Sequence, residues 1–232
     1  MKKFFVMISL TFAINIMCFS QGTININLST FEKYIENKNG SVQQVSTSKS
    51  RKIEGTSKLF EDWQKGTVKM TNGDLITVDS LNFDIYSNNI LFSYNGKEYY
   101  VSDNNKIEFF QFNNQKFINL RNPSYPNSFF QILSDGETIK LLKLYKCSIV
   151  EGTPGNGIID ATNDKFTIMS DYYIYTAEQG IMKFSPSKKR VLDIMSDYRK
   201  EVESFIKKNR IKFRREDDLV KLFNYLSSLN TL

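Results

Sequence analysis

Two Asn-Gly dipeptides, Asn72-Gly73 and Asn95-Gly96, sit between runs of alternating apolar residues and constrain this chain more than any other feature. A two-residue hairpin turn of the favoured primed type needs positive φ at its central positions, which asparagine and glycine adopt at least cost. Val68 and Met70 alternate before the first dipeptide, and Ile76 and Val78 follow it. Leu81, Phe83 and Ile85 then alternate with Asn82, Asp84 and Tyr86, and Asn88-Asn89 turns the chain. Ile90, Phe92 and Tyr94 lead into the second dipeptide, and Tyr99 to Val101 and Ile107 to Phe112 continue the period of two. Strands joined by turns this short pair antiparallel with their neighbours, so the segment reads as a meander.

The pattern extends further along the chain. Asn122 to Asn127, with Pro123 and Pro126, reads as an irregular loop. Phe129 to Leu133, the Asp135-Gly136 turn and Thr138 to Val150 read as a second hairpin whose long return strand is central. Phe166 to Met169, Tyr172 to Thr176 and Ile181 to Phe184 read as three more short strands. The period then changes to that of a helix. Ser185-Pro186 marks a helix start. Val191, Leu192 and Met195, then Tyr198, Val202, Phe205 and Ile206, form helical stripes. Glu216, Asp217 and Asp218 suit the positive end of a helix dipole, ahead of Leu219, Leu222, Phe223, Leu226 and Leu229. The expected architecture is α+β. An antiparallel domain of about ten short strands, barrel- or sandwich-like, spans 57–184, and about three helices over 185–232 pack on it as one unit.

The N-terminus reads as an export signal. Lys2 and Lys3 precede an apolar run from Phe4 to Met17 that is too short and too polar for a membrane span. Cleavage after Ser20 is expected; Cys18, preceded by Met17, makes lipid attachment the lesser alternative. Residues 21–56 read as an N-terminal segment and polar linker, with a Ser-, Lys-, Asn-, Gln- and Gly-rich composition from 36 to 58. The expected location is periplasmic or secreted. Cleavage leaves Cys147 as the one cysteine, so stability must come from packing, and Cys147 is expected to be a small buried apolar group.

The chain has no histidine, which removes His-based triads, dyads and general bases, and with one mature cysteine it excludes the usual zinc sites. No cofactor is expected. The loop Gly152-Thr153-Pro154-Gly155-Asn156-Gly157 lacks the Lys-Ser/Thr of a phosphate cradle and reads as a flexible hairpin loop. Asp160, Asn163 and Asp164, and the cluster Ser102-Asp103-Asn104-Asn105, carry oxygens but not the spacing of a calcium loop. Ser185 and Lys189 bring serine and lysine close, but a serine at a helix start serves as a cap. Glu61 and Asp62 flank Trp63, a combination that suits a sugar contact. Adjacent strand residues point oppositely, so the two acids do not form a glycosidase pair by themselves, and Trp63 reads as a core anchor.

Charge is uneven. The net is +6, of which Lys2 and Lys3 supply +2; Lys183 to Arg215 holds 12 basic and 4 acidic residues, a net of +8, leaving about −4 for the rest of the mature chain. Lys188, Lys189, Arg190, Lys207, Lys208 and Arg210 are the expected contacts to an anionic membrane or glycan, against the ordinary reading of a solvated helix face. Aromatics lie in the strands and cations in the helices, so nucleic acid is not an expected partner.

The stretch from Trp63 to Val68, Asn72-Gly73, Leu81 to Tyr86, Asn95-Gly96 and the tail from Lys188 to Asn230 resemble small exported β-rich proteins of unknown function from Gram-negative bacteria. The resemblance implies a fold over residues 57–232 and no catalytic residues. Three functions are expected in order: a non-catalytic envelope protein binding a protein or ligand through its β domain, a module docking on anionic surface through the basic helices, and a carboxylate-dependent glycan hydrolase.

Overall fold

The computed structural model describes residues 42–44, 53–101, 103–120, 125–155 and 160–229. The expected signal segment, Cys18 and most of the expected linker lie outside them. Among the described residues eleven strands form one sheet: β1 (Val42–Gln44), β2 (Gln64–Met70), β3 (Leu75–Asp84), β4 (Asn89–Tyr94), β5 (Lys97–Val101), β6 (Ile107–Phe112), β7 (Gln115–Asn119), β8 (Phe129–Asp135), β9 (Ile139–Val150), β10 (Lys165–Thr176) and β11 (Gly180–Phe184). Three helices follow: α1 (Lys188–Ile194), α2 (Arg199–Asn209) and α3 (Glu216–Leu229). The α+β reading holds. Every strand pair is antiparallel, in the order β1-β5-β4-β3-β2-β6-β7-β8-β9-β10-β11.

The sheet is open, which corrects the barrel form of the expectation. β2 pairs with both β3 and β6, so one meander runs outward to the edge at β1 and the other to the edge at β11. Helices, not a closing pair of strands, cover the last strands. Three further details differ. The two strands expected over 166–176 are one twelve-residue β10 paired along its length with β9. Ser187, not Ser185, caps α1, its side chain accepting from the Arg190 N–H. Residues 53–58, expected in the linker, are bound to the sheet: Glu54 bridges Lys165, Lys58 bridges Asp84, and the Leu59 N–H donates to the Phe83 carbonyl. Asn95 (φ 49°) and Gly96 (φ 72°) are both left-handed between β4 and β5, as their turn requires.

Period-two burial builds the first core. Val68, Met70, Leu81, Phe83, Phe92, Phe110, Phe112, Phe117 and Phe129 are all buried on one face of the curled strands β2 to β8. The second core joins Ile139, Leu141, Ile174 and Phe184 of the last strands to Val191, Leu192, Val202, Leu219, Leu222, Phe223 and Leu226 of the helices. A smaller cluster of Phe130, Leu142, Leu144 and Tyr173 packs together with half-buried Tyr125 and Tyr175.

Candidate functional site

The ends of the β8–β9 and β10–β11 hairpins lie against α1, and the two layers leave a hollow of ≈ 740 Å³ between them. Burial of Val191 and Leu192 against the sheet fixes the roll of α1 and brings Arg190, Asp193 and Ile194 to this hollow. A short 3-10 turn, Ser196–Tyr198, closes one end and adds Asp197 and Tyr198. From the strand side come Glu137, Thr138 and Ile139, then Thr176, Glu178 and Met182. The Gln179 N–H donates to Thr176 Oγ1 at 3.1 Å, which holds the second turn in place.

Ile139, Met182, Ile194 and Met195 give the hollow apolar surface, and four carboxylates, Glu137, Glu178, Asp193 and Asp197, stand against the single guanidinium of Arg190, a net of 1 − 4 = −3. None of these four carboxylates is ion-paired among the described residues; Asp197 Oδ1 accepts a hydrogen bond from Ser196 Oγ at 3.2 Å. Asp193 lies in the last turn of α1, at the negative end of the helix dipole, so the backbone adds to the negative field instead of offsetting it. The volume is that of a small-ligand site, and the lining combines apolar contact with negative charge.

No protein-family model, curated protein or solved structure matches the chain.

The residues singled out in sequence are distributed differently from expectation. Glu61 and Asp62 are exposed on an irregular stretch before β2, and Trp63 is half-buried with Lys58 Nζ 4.8 Å from its ring centre. Phe60 takes the core position expected of Trp63, packing edge-on against Phe112 at 5.1 Å. The stretch is pinned by Asn82, 1% exposed, whose side chain accepts from the Phe60 and Phe83 N–H groups and donates to the Phe60 carbonyl at 2.9 Å. Of the six cations, Lys188 and Lys207 meet on a second hollow of ≈ 350 Å³ with Glu203, whereas Arg190 faces the carboxylates of the first. Lys189, Lys208 and Arg210 are exposed.

Three residues of the oxygen-rich motifs are used internally, and Ser102 lies outside the described residues. Asp164 Oδ1 accepts from the Gly152 N–H at 3.0 Å, Asn163 Nδ2 donates to Glu54, and Asp103 caps a 3-10 turn. Thr153 and Thr162 exchange backbone and side-chain bonds across the loop expected to be flexible. Cys147 is half-buried against the first core, its thiol pushed up by burial and by the charge of Asp84.

A polar chain missed in sequence joins α3 to the sheet. Lys143 and Tyr172 are register partners on β9 and β10, and Glu216 Oε2 accepts from both, at 2.8 and 2.9 Å. Burial alone would lower the Lys143 pKa, but the Glu216 hydrogen bond and the charges of Tyr145 and Glu216 outweigh it and raise it. Burial, then the Glu216 bond, pushes Tyr172 up from 10.0 to about 12. Both groups hold their protons more tightly when folded. Their contribution is therefore complete below the unfolded values near pH 10 and is lost above them, for Tyr172 as pH rises towards 12. Alkaline titration followed by near-ultraviolet circular dichroism is expected to show stability falling across this window. Tyr172→Phe should flatten that fall; an unchanged slope would reject the assignment.

Proposed function

We propose that this is a non-catalytic exported envelope protein that binds a cationic group on an apolar stem in the hollow between the strand turns and α1. The supporting observation is the set of four unpaired carboxylates around apolar surface. A bare metal ion would leave the apolar lining unused, whereas an ammonium or guanidinium on a short alkyl chain satisfies both parts. Lysine-like side chains of a partner polypeptide and free alkylamines share this chemistry. The export reading rests on Lys2, Lys3 and the apolar run to Met17. Among the described residues no helix is long and apolar enough to cross a membrane.

Thermal shift with cadaverine and with lysine ethyl ester as probes tests the reading. A ligand that binds only the folded state raises the melting temperature as its concentration passes its Kd. Asp193→Asn/Asp197→Asn is expected to weaken that response by about tenfold or more, the worth of roughly 1.4 kcal/mol of lost charge interaction. A uniform response in the variant, or no response to either amine at millimolar concentration, would reject the site.

A further inference from the structure

We propose that the outward face of the helical layer is a docking surface for an anionic lipid bilayer. From Lys183 to Arg215 there are 12 basic and 4 acidic residues, and all twelve basic side chains are exposed. Three are ion-paired: Lys183 with Asp171, Lys188 with Glu203 and Arg215 with Asp217. The other nine have no ion-pair partner among the described residues.

Packing sets this distribution. Val202 and Ile206 point α2 into the second core, which turns Lys200, Lys207 and Lys208 outward. Val191 and Leu192 do the same for α1 and leave Lys189 exposed. The connection to α3 adds Arg210, Lys212 and Arg214. So many unneutralised like charges repel one another, and a polyanionic surface removes that repulsion.

The face offers charge without rings. Phe205 is stacked on Tyr225 at 3.9 Å, and half-buried Phe213 packs on the second core, so neither is free to stack on bases. The exposed large apolar residues Tyr86, Val150, Ile168 and Met169 all lie on the strands or their turns. Cations spread over α1, α2 and the following loop match a broad layer of headgroup phosphates better than a single strand of nucleic acid. Each lysine held near an anionic leaflet strengthens binding by about fivefold.

Co-sedimentation with phosphatidylcholine vesicles, with and without a one-third share of phosphatidylglycerol, tests this. Binding is expected to the charged vesicles alone and to fall as sodium chloride is raised. Lys189→Gln/Lys200→Gln/Lys207→Gln/Lys208→Gln should weaken it by more than about a hundredfold. The control Lys65→Gln/Lys97→Gln/Lys106→Gln/Lys165→Gln removes the same charge from the strand region and should change binding by less than about threefold. If the first variant melts early, Lys207→Gln/Lys208→Gln replaces it, with a loss of about twentyfold expected. Absence of binding to charged vesicles, equal losses in the two sets, or binding to soluble polyphosphate without binding to vesicles would overturn the proposal.

Discussion

Replacing Phe110 with alanine will lower the unfolding free energy by about 3–5 kcal/mol, the cost of deleting a buried ring that its neighbours cannot fully replace. Phe110 is 0% exposed and is the hub of the first core. Its ring stacks on Phe117 at 4.7 Å and meets Phe83, Phe112 and Phe129 at 5.2, 5.4 and 5.0 Å. These four come from β3, β6, β7 and β8, so the cavity opens at the point where both arms of the sheet converge. The adjacent Phe109 supplies the control. Strand alternation puts it on the opposite face, half-exposed beneath Lys116 Nζ at 4.5 Å, and Phe109→Ala should cost less than about 1 kcal/mol. Urea unfolding reads both as shifts in midpoint at constant m-value. Equal losses at 109 and 110 would mean that the face assignment of β6 is wrong.

That contrast also shows what was legible in advance. Wherever one face is buried and the other wet, periodicity is forced. Leu81, Phe83 and Ile85 on the one hand, and Leu219, Leu222, Phe223, Leu226 and Leu229 on the other, were therefore identifiable and are all buried. Turn chemistry is local at Asn95-Gly96, which adopts the backbone its residue types imply, whereas at Asn72-Gly73 only Gly73 has positive φ (94°) and the connection runs from Met70 to Leu75. What depends on distant segments was not legible. β6 returns to the flank of β2, and nothing in its own residues specifies that neighbour. The break expected after Met169 rests on two polar residues at the centre of β10 that the uninterrupted ladder to β9 overrides: Ser170 and Asp171 pair with Tyr145 and Leu144. The hollow draws on residues 137–139, 176–179, 182, 190 and 193–198, a set with no common spacing. Its one sequence trace is Asp193 and Asp197, acids interrupting a basic run. Glu61, Asp62 and Trp63 attracted notice by adjacency, yet Asn82 holds that stretch as an irregular lead into β2 with both acids exposed.

Gly136→Ala carries the second large effect, because this glycine is required by contact and not by backbone dihedral. The Asp135-Gly136 pair reads as a turn, but the glycine's place in the fold is against α3. A Cβ built on it would lie 1.8 Å from Ser227 Oγ, 2.5 Å from Ser227 Cβ and 2.6 Å from the Ile139 carbonyl oxygen. Ser227 Oγ also donates to the Ile139 and Phe223 carbonyls, so displacing it breaks bonds as well as packing. Overpacking together with these losses sets the expected destabilisation at about 2–4 kcal/mol. Ser227→Ala in the same chain removes the nearest atom and should restore about 1 kcal/mol, with the residual fixed by the Ile139 oxygen and the remaining Cβ. A thermodynamic cycle over the two single variants and the double variant measures that coupling. Additive losses would show that the turn and α3 do not touch as described. The same displacement moves Glu137 and Thr138, which line the carboxylate-rimmed hollow. Gly136→Ala should therefore weaken amine binding even where the protein remains folded, and Ser227→Ala should return part of that binding along with the stability. If stability recovers while binding does not, the turn's contribution to the site is separate from its packing on α3.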